Sequence, residues 1–281
     1  MGTCRIKRNR NCLRRVVIIS LLLLLPLLGA GLFLVFHKPE KKAHISIDDA
    51  TMIFQNIYWE EYDSIFENEI LGKLQELHER YGIKVTLYVF EELEEFAIWD
   101  MPLEYKKEFR ENADWLQIGF HSIADSAPET WEKDFEEEYS KTESAIMRFA
   151  GEKSVAKVLR LHYWYATDEM VASLQEAGVT GLLCSDSGEP SYNLTEEQAE
   201  KLYSSRDGVL ETEGMTYYAT DIRLENTKDI TVAMEERKKD RFIVIFTHAW
   251  CFEENCDKLE EVAAWLAEAE YQFTNLEETE E

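Results

Sequence analysis

The sequence predicts an α/β domain built as a (β/α) barrel of about seven units and preceded by one N-terminal transmembrane helix. Three observations lead to this fold class. Short, uninterrupted apolar runs alternate along the chain with longer segments that carry apolar residues at helical spacing. Ionisable residues follow most of these apolar runs. An uncharged stretch of membrane-spanning length lies near the N-terminus.

The apolar runs are predicted to be parallel strands, because they are apolar on both faces and are separated by helical segments. The predicted strands are 44–47, 85–90, 116–120, 158–161, 181–184 and 242–246, with 271–274 as a candidate last strand. Amphipathic helices are predicted at 65–81, 106–114, 131–149, 168–177, 196–203, 228–239 and 256–269. The segment 208–224 breaks this rhythm and is predicted to be an inserted hairpin that turns near 213–214. Seven or so strand–helix units over about 240 residues suit a barrel.

The N-terminal segment has the pattern of a membrane anchor. Six positive charges lie in 1–15, and 16–36 then follow without a charge. A membrane-spanning helix needs about 20 apolar residues, whereas the apolar core of a cleaved signal peptide is usually about 7–15 residues long. We therefore expect a cytoplasmic basic tail at 1–15, an uncleaved single-pass anchor in the lipid bilayer at 16–36, and a juxtamembrane linker at 37–42. The main domain is expected at 43–276 on the extracytoplasmic side, followed by an acidic tail at 277–281.

Charge and cysteine content exclude two classes of protein. The chain has 56 Asp and Glu residues against 30 Lys and Arg residues, a formal net charge of −26, which disfavours nucleic acid as a partner. Of the five cysteines, Cys4 and Cys12 precede the predicted anchor, and an odd number, three, follow it. A disulfide-stapled fold is not expected in a domain of this size. The spacing of Cys251 and Cys256 neither demands nor excludes a bond between them.

Ionisable residues gather at the predicted strand ends. Asp48 and Asp49 end the first strand, where two adjacent carboxylates repel each other and are costly to bury. In a β/α barrel, functional residues lie at the carboxyl ends of the strands. One such residue could belong to an ordinary turn, but the whole set indicates a functional site. The set comprises Asp48, Asp49, His121, Ser122, Asp125, Arg160, Asp186 and His248.

The set contains residue types that bind a divalent ion. His121 and Asp125 are four residues apart, so a helical turn or tight loop would point both side chains the same way. With Asp49 as a third ligand, they would hold one ion and leave a position open for water. Zinc accepts nitrogen and oxygen ligands of this kind, and manganese or iron could compete because two carboxylates make the set hard.

The remaining members supply acid–base chemistry. Asp48 could act as general base on the metal-bound water, while Arg160 keeps it ionised and oriented. His248 could protonate the leaving group. An acid and a base around an activated water are the requirements for hydrolysis of an amide or an ester.

Four motifs, SIDDA, HSIAD, RLHYW and FTHAW, stand in the order and spacing of the polysaccharide deacetylase family, and 43–276 resemble its NodB-homology domain. The resemblance implies a distorted (β/α) barrel and a hydrolase that uses a divalent metal to remove N- or O-acetyl groups from a carbohydrate. It also implies a role for each matching residue. Asp48 is the catalytic base, Asp49, His121 and Asp125 are the metal ligands, Ser122 braces the metal loop, Arg160 orients the base, and His248 is the catalytic acid.

The motifs depart from the family pattern at three positions. Ala50 stands where the family usually has Gly, Asp125 where His is the more frequent ligand, and His162 where Pro usually follows the Arg. Every chemical role stays filled, so the resemblance implies a divergent deacetylase with zinc as the expected metal. The altered third motif also supports an alternative, a catalytically inactive glycan-binding or scaffold domain on the same fold.

Aromatic residues and one further carboxylate complete the candidate site. Tyr163, Trp164, Tyr165 and Trp250 could form a wall on which sugar rings stack, and core packing is the alternative for at least two of them. Asp186 could support His248, or it could start a turn at the end of its strand.

Overall fold

The computed structural model describes residues 40–128, 132–212 and 214–276. Its strands are β1 (Lys41–Asp48), β2 (Val85–Phe90), β3 (Glu92–Leu93), β4 (Phe96–Ala97), β5 (Leu116–Ser122), β6 (Val158–Leu159), β7 (Gly181–Leu183), β8 (Val209–Glu211), β9 (Thr216–Tyr218), β10 (Ile222–Arg223), β11 (Phe242–His248) and β12 (Tyr271–Phe273). Its helices are α1 (Thr51–Glu60), α2 (Glu69–Tyr81), α3 (Lys106–Asn112), α4 (Phe135–Phe149), α5 (Asp168–Glu176), α6 (Glu196–Ser204), α7 (Ile230–Glu236) and α8 (Phe252–Glu268). The predicted α/β class with a parallel sheet is confirmed.

The larger sheet places β1 at its centre. Its strand order is β10-β11-β1-β2-β5, and β12 pairs with the first residues of β1. All of these pairs are parallel. Ala43, Ile45 and Ile47 pack in the core that this sheet shares with its helices, and the intervening residues His44 and Ser46 are also fully buried. Both faces of the strand are therefore buried, as expected at the centre of a parallel sheet, and one face carries the polar residues His44 and Ser46.

The smaller sheet has the order β6-β7-β9-β8. Its β8 and β9 form the predicted antiparallel hairpin, and Gly214 in the turn has a φ of +83°, which Gly adopts without steric cost. A second core lies between the two sheets. It joins Tyr88 and Val244 of the larger sheet to Leu182 and Tyr217 of the smaller one.

The predicted distorted (β/α) barrel of about seven units is not closed in the described residues. The two sheets form separate hydrogen-bonded ladders, linked by one isolated parallel bridge between Ile118 and Val155. Strands of the smaller sheet are two or three residues long, and β8 runs antiparallel at its edge. Strands this short form few ladder hydrogen bonds, so the pairing does not continue around a barrel.

Local sequence signals explain where helix α2 begins and ends, but they do not predict helix α1. Asn68 caps α2 by accepting from the backbone N–H groups of Ile70 and Leu71, and Gly82 ends the helix with a φ of +75°. Helix α1 was not predicted from the sequence. It starts two residues after the paired aspartates and has no capping side chain. Its buried residues nevertheless pack in the main core.

Within the described ranges, no helix is both long and apolar enough to cross a membrane. The predicted basic tail and anchor, 1–36, lie outside the described residues, as do 37–39 of the linker and the acidic tail 277–281.

Candidate metal and acid–base site

The paired aspartates lie at the carboxyl end of the central strand. Asp48 is the last residue of β1 and stands opposite His248, the last residue of β11, in the strand register. Asp49 has a φ of +54°, a left-handed conformation that Asp adopts more readily than most residues. Helix α1 begins two residues later. This tight turn keeps both carboxylates at the edge of the sheet.

Three side chains bring potential metal-binding atoms together: Asp49, His121 and His162. Asp49 Oδ1 lies 3.3 Å from His121 Nε2 and 3.9 Å from His162 Nδ1, and these two nitrogens are 3.2 Å apart. Ligand atoms around a tetrahedral zinc ion are about 3.3–3.4 Å apart, whereas neighbouring ligands around an octahedral magnesium ion are about 2.9 Å apart. The two distances that involve His121 Nε2 are close to the tetrahedral value, whereas the distance between Asp49 and His162 is wider, at 3.9 Å.

A backbone carbonyl orients the ring of His121. The side chain is buried in β5, and its Nδ1 lies 2.5 Å from the carbonyl oxygen of Arg160. Because a carbonyl oxygen only accepts, Nδ1 donates this hydrogen bond, and the neutral ring presents the lone pair of Nε2 to Asp49 and His162. Ligating histidines are commonly held in this way through their second nitrogen.

The electrostatics of the three groups suit a bound cation. Burial lowers the pKa of His121, but the nearby Asp49 and Asp48 outweigh this effect and raise it overall. Burial raises the pKa of Asp49, but His121 and the other histidines lower it overall. Burial and the neighbouring His121 lower the pKa of His162 to about 4, which leaves that ring neutral at physiological pH. A cation here would be attracted by the Asp49 carboxylate and would require His121 Nε2 to be free of a proton, as ligation by an imidazole does.

The structure places His162, rather than Asp125, in the three-residue group. The side chain of Asp125 is 69% exposed, and its Oδ1 lies 3.3 Å from His162 Nε2. His162 begins a short 3₁₀ turn after β6, in which Tyr163 has a φ of +56°. The sequence signal for His162 was its position in RLHYW, where an imidazole replaces the Pro of the family pattern. The ligand role predicted for Asp125 stays a prediction.

Asp48 is buried beside an arginine. Its Oδ2 lies 3.3 Å from Arg160 Nε, and both side chains are almost fully excluded from solvent. Burial raises the pKa of Asp48, and the positive charge of Arg160 offsets this only in part. Arg160 therefore opposes the effect of burial and favours the ionised carboxylate, and its predicted role in holding and orienting Asp48 stays a prediction. A general base with a raised pKa is better matched to neutral pH.

Arg160 is fixed from several directions. It donates to Thr220 Oγ1 at 2.8 Å and to the carbonyl oxygen of Cys184 at 3.3 Å, and its Cζ lies 4.1 Å from the ring centre of Phe246. Its side chain thus faces Asp48, while its backbone carbonyl holds His121.

A carboxylate that the sequence analysis missed supports His248. Glu225 Oε1 lies 2.5 Å from His248 Nδ1 and 2.7 Å from Arg223 Nε, and Oε2 accepts from Thr247 Oγ1 at 3.0 Å. Burial raises the pKa of Glu225, but these partners together lower it to about 2. The two-residue strand β10 precedes Glu225, and a strand this short leaves no periodic signal. Of the two alternatives for Asp186, the structure shows the turn, because the residue is exposed in the bend that follows β7.

Two aromatic side chains border the site. Tyr163 is 58% exposed and Trp250 is 60% exposed. Trp250 Nε1 donates to Asp49 Oδ2 at 3.0 Å, and its ring centre lies 5.3 Å from that of His248. Trp164 packs edge-on against Phe246, and Tyr165 packs against the core between the sheets. Core packing thus accounts for two of the four candidate stacking residues.

The loop after β5 is braced by Ser122. The Ser122 side chain is buried and donates to the carbonyl oxygen of Ala124 at 2.7 Å, inside the loop that joins His121 to Asp125.

In the described part of the chain, Cys184, Cys251 and Cys256 are all free thiols.

No protein-family model and no curated protein matches the chain. Solved structures do match it. A family 4 carbohydrate esterase from Bacillus anthracis is 14% identical, with 85% of this chain and 81% of that chain covered at a TM-score of 0.41. A protein from Mycobacterium smegmatis described as a polysaccharide deacetylase is 12% identical, with coverage of 87% and 97% and a TM-score of 0.43. A protein from Bordetella bronchiseptica described as a polysaccharide deacetylase involved in O-antigen biosynthesis is 11% identical, with coverage of 79% and 83% and a TM-score of 0.35.

Proposed function

We propose that the chain is a metal-dependent hydrolase that removes N- or O-acetyl groups from a carbohydrate. The observation that carries the proposal is the grouping of Asp49, His121 and His162 at metal-ligand spacing, next to Asp48 and His248. The resemblance of the four sequence motifs supplies the reaction and the substrate class.

The three grouped side chains would hold the ion, and their spacing and mixed nitrogen and oxygen donors favour zinc. A bound divalent ion supplies a Lewis acid for the acetyl carbonyl oxygen and lowers the pKa of a coordinated water. Trp250 bonds the second oxygen of Asp49, so the first oxygen is the one directed at the histidines.

The neighbouring residues would move the protons. Asp48 would accept a proton from the attacking water, whose oxygen bonds to the acetyl carbon. His248 would donate a proton to the leaving nitrogen or oxygen as its bond to that carbon breaks, giving acetate and the deacetylated sugar. Glu225 would hold Nδ1–H of His248, which leaves Nε2 for the leaving group. Arg160 would orient Asp48.

The surroundings suit a sugar at a membrane. The exposed rings of Tyr163 and Trp250 offer apolar faces for stacking beside the acid–base pair. The uncharged segment 16–36 and the basic residues before it favour a single-pass anchor with the catalytic domain on the extracytoplasmic side.

Acetate release tests the proposal. The full chain in detergent would be loaded with zinc and given N-acetylglucosamine oligomers and O-acetylated oligosaccharides. We expect Asp48→Asn to reduce turnover by about 10²–10⁴-fold, the usual contribution of a general base, while the metal content stays unchanged. His121→Ala should lose both metal and turnover. Asp114→Asn, an exposed carboxylate before the first residue of β5 and thus at the opposite end of that strand from His121, is the matched control.

Two results would overturn the proposal. Equal turnover in the parent chain and Asp48→Asn would remove the base from the mechanism. Tight glycan binding by the metal-loaded parent without acetate release would support the glycan-binding alternative instead.

A further inference from the structure

The ring of His162 has a different partner at each nitrogen. Nδ1 faces the candidate metal position, 3.2 Å from His121 Nε2 and 3.9 Å from Asp49 Oδ1. Nε2 is buried and lies 3.3 Å from Asp125 Oδ1, a contact that is close enough for a hydrogen bond but is not aligned as one. The two nitrogens of an imidazole point away from each other, so a single ion can use only one of them. The spacing assigns the ion to Nδ1 and leaves Nε2 to the carboxylate.

Asp125 is placed behind the ring rather than beside the ion. Its side chain is 69% exposed, whereas Asp49 is 18% and His162 14% exposed. It lies in the loop that follows β5, and Ser122 braces that loop. A carboxylate that accepts from the second nitrogen of a ligating histidine fixes the tautomer and the orientation of the ring and makes the ligating nitrogen more basic.

We propose that Asp125 is a positioning residue, which accepts a hydrogen bond from His162 Nε2–H and thereby directs His162 Nδ1 at the metal. In this arrangement His162 is the third ligand, and the acidic residue of the HSIAD motif acts through it. The inference rests on the proposed function only for the presence of the ion.

The arrangement also gives the two histidines equivalent support. His121 is held at its second nitrogen by the carbonyl oxygen of Arg160, and His162 by the carboxylate of Asp125. Both histidines then present one lone pair toward Asp49. A set of two histidines and one carboxylate is softer than a set of one histidine and two carboxylates. With His162 instead of Asp125 as the third ligand, the site therefore favours zinc over manganese.

Metal affinity and cobalt spectroscopy distinguish positioning from ligation. The full chain in detergent would be loaded with Zn²⁺ or Co²⁺, and its affinity measured by competition with a chelator. Variants would be Asp125→Ala, Asp125→Asn, His162→Gln and the charge-matched control Asp114→Ala, at the opposite end of β5 from His121. Proton NMR of the cobalt form would record the exchangeable ring N–H protons of ligating histidines, and thermal unfolding would verify that each variant is folded.

The proposal predicts a graded pattern. Asp125→Ala should weaken metal binding about 10–100-fold, the usual effect of losing such an outer partner. Asp125→Asn, which keeps an oxygen acceptor, should recover most of this loss. The cobalt form of the parent should show two shifted N–H protons, and Asp125→Ala should lose the one from His162 by solvent exchange while keeping the buried one from His121. His162→Gln should lose that proton and more affinity than Asp125→Ala, and Asp114→Ala should match the parent.

Three results would overturn it. If Asp125→Ala and Asp125→Asn both abolish binding while His162→Gln retains it, Asp125 is a ligand. If Asp125→Ala keeps the affinity and both protons, Asp125 has no role at the metal. If the parent chain binds neither ion, the proposed function fails as well, and the inference falls with it.

Discussion

Replacing Glu225 by Gln tests whether the candidate acid depends on a carboxylate that the sequence motifs do not contain. Glu225 holds His248 Nδ1 at 2.5 Å and is itself held by Arg223 and Thr247. Gln has nearly the same shape but no charge. The substitution therefore removes the electrostatic part of these contacts and leaves the packing largely intact.

The lowered pKa of Glu225 indicates how much the substitution should reduce the free energy of unfolding. A fall from the ordinary 4.5 to about 2 corresponds to about 3 kcal/mol of native-state stabilisation at neutral pH. Because the native pKa is lowered, this stabilisation is present above pH 4.5 and is lost as the pH falls toward 2. We expect Glu225→Gln to reduce the free energy of unfolding by up to about 3 kcal/mol at pH 7.5. It should also reduce kcat by about 10²-fold, since His248 loses the partner that orients it.

Urea unfolding at pH 7.5 and acetate-release kinetics on the same preparations measure both effects. Glu143→Gln is the control, because Glu143 is similarly buried and forms an ion pair with Lys157 outside the site. It should leave kcat unchanged. A stability loss in Glu225→Gln with an unchanged kcat would show that Glu225 is structural only. An unchanged stability would refute the reasoning from its pKa.

Two further predictions concern a buried histidine and an indole. His44 is fully buried, and burial lowers its pKa to about 4. Between pH 6.5 and 4 the unfolded chain binds this proton and the native chain does not, so stability should fall by about 3 kcal/mol as the pH drops through this window. His44→Gln should lack this part of the pH dependence in urea titrations, and an identical dependence in both proteins would contradict the assignment. Trp250→Phe keeps a ring but loses the N–H that bonds Asp49, so metal affinity measured by chelator competition should fall about 10-fold. Unchanged affinity would show that this contact does not position the ligand.

Most of the site residues that could be predicted from the sequence lie at the ends of strands. Continuous apolar runs marked β1, β5 and β11, and the parallel order brought their carboxyl ends together. Asp48, Asp49, His121 and His248 were therefore predicted to be neighbours, and the structure places them in one site. The burial of Arg160 against Asp48 also follows from its position directly after a buried strand.

The remaining parts depended on backbone geometry that a sequence pattern does not report. His162 faces Asp49 because a short turn with left-handed residues follows β6, and no periodicity predicts such a turn. Glu225 follows a strand of two residues. Barrel closure depends on how many ladder hydrogen bonds form between neighbouring strands, and the strands of the smaller sheet were too short to make them.

Arg160 contacts both the candidate base and a candidate metal ligand. It follows β6 in the smaller sheet, whereas Asp48 and His121 belong to the larger one. Its side chain serves the proton acceptor and its peptide carbonyl serves a metal ligand. Substitution can remove only the first of these contacts, because every amino acid brings the same carbonyl. The metal position and the base therefore both depend on how closely the segment after β6 packs against the larger sheet.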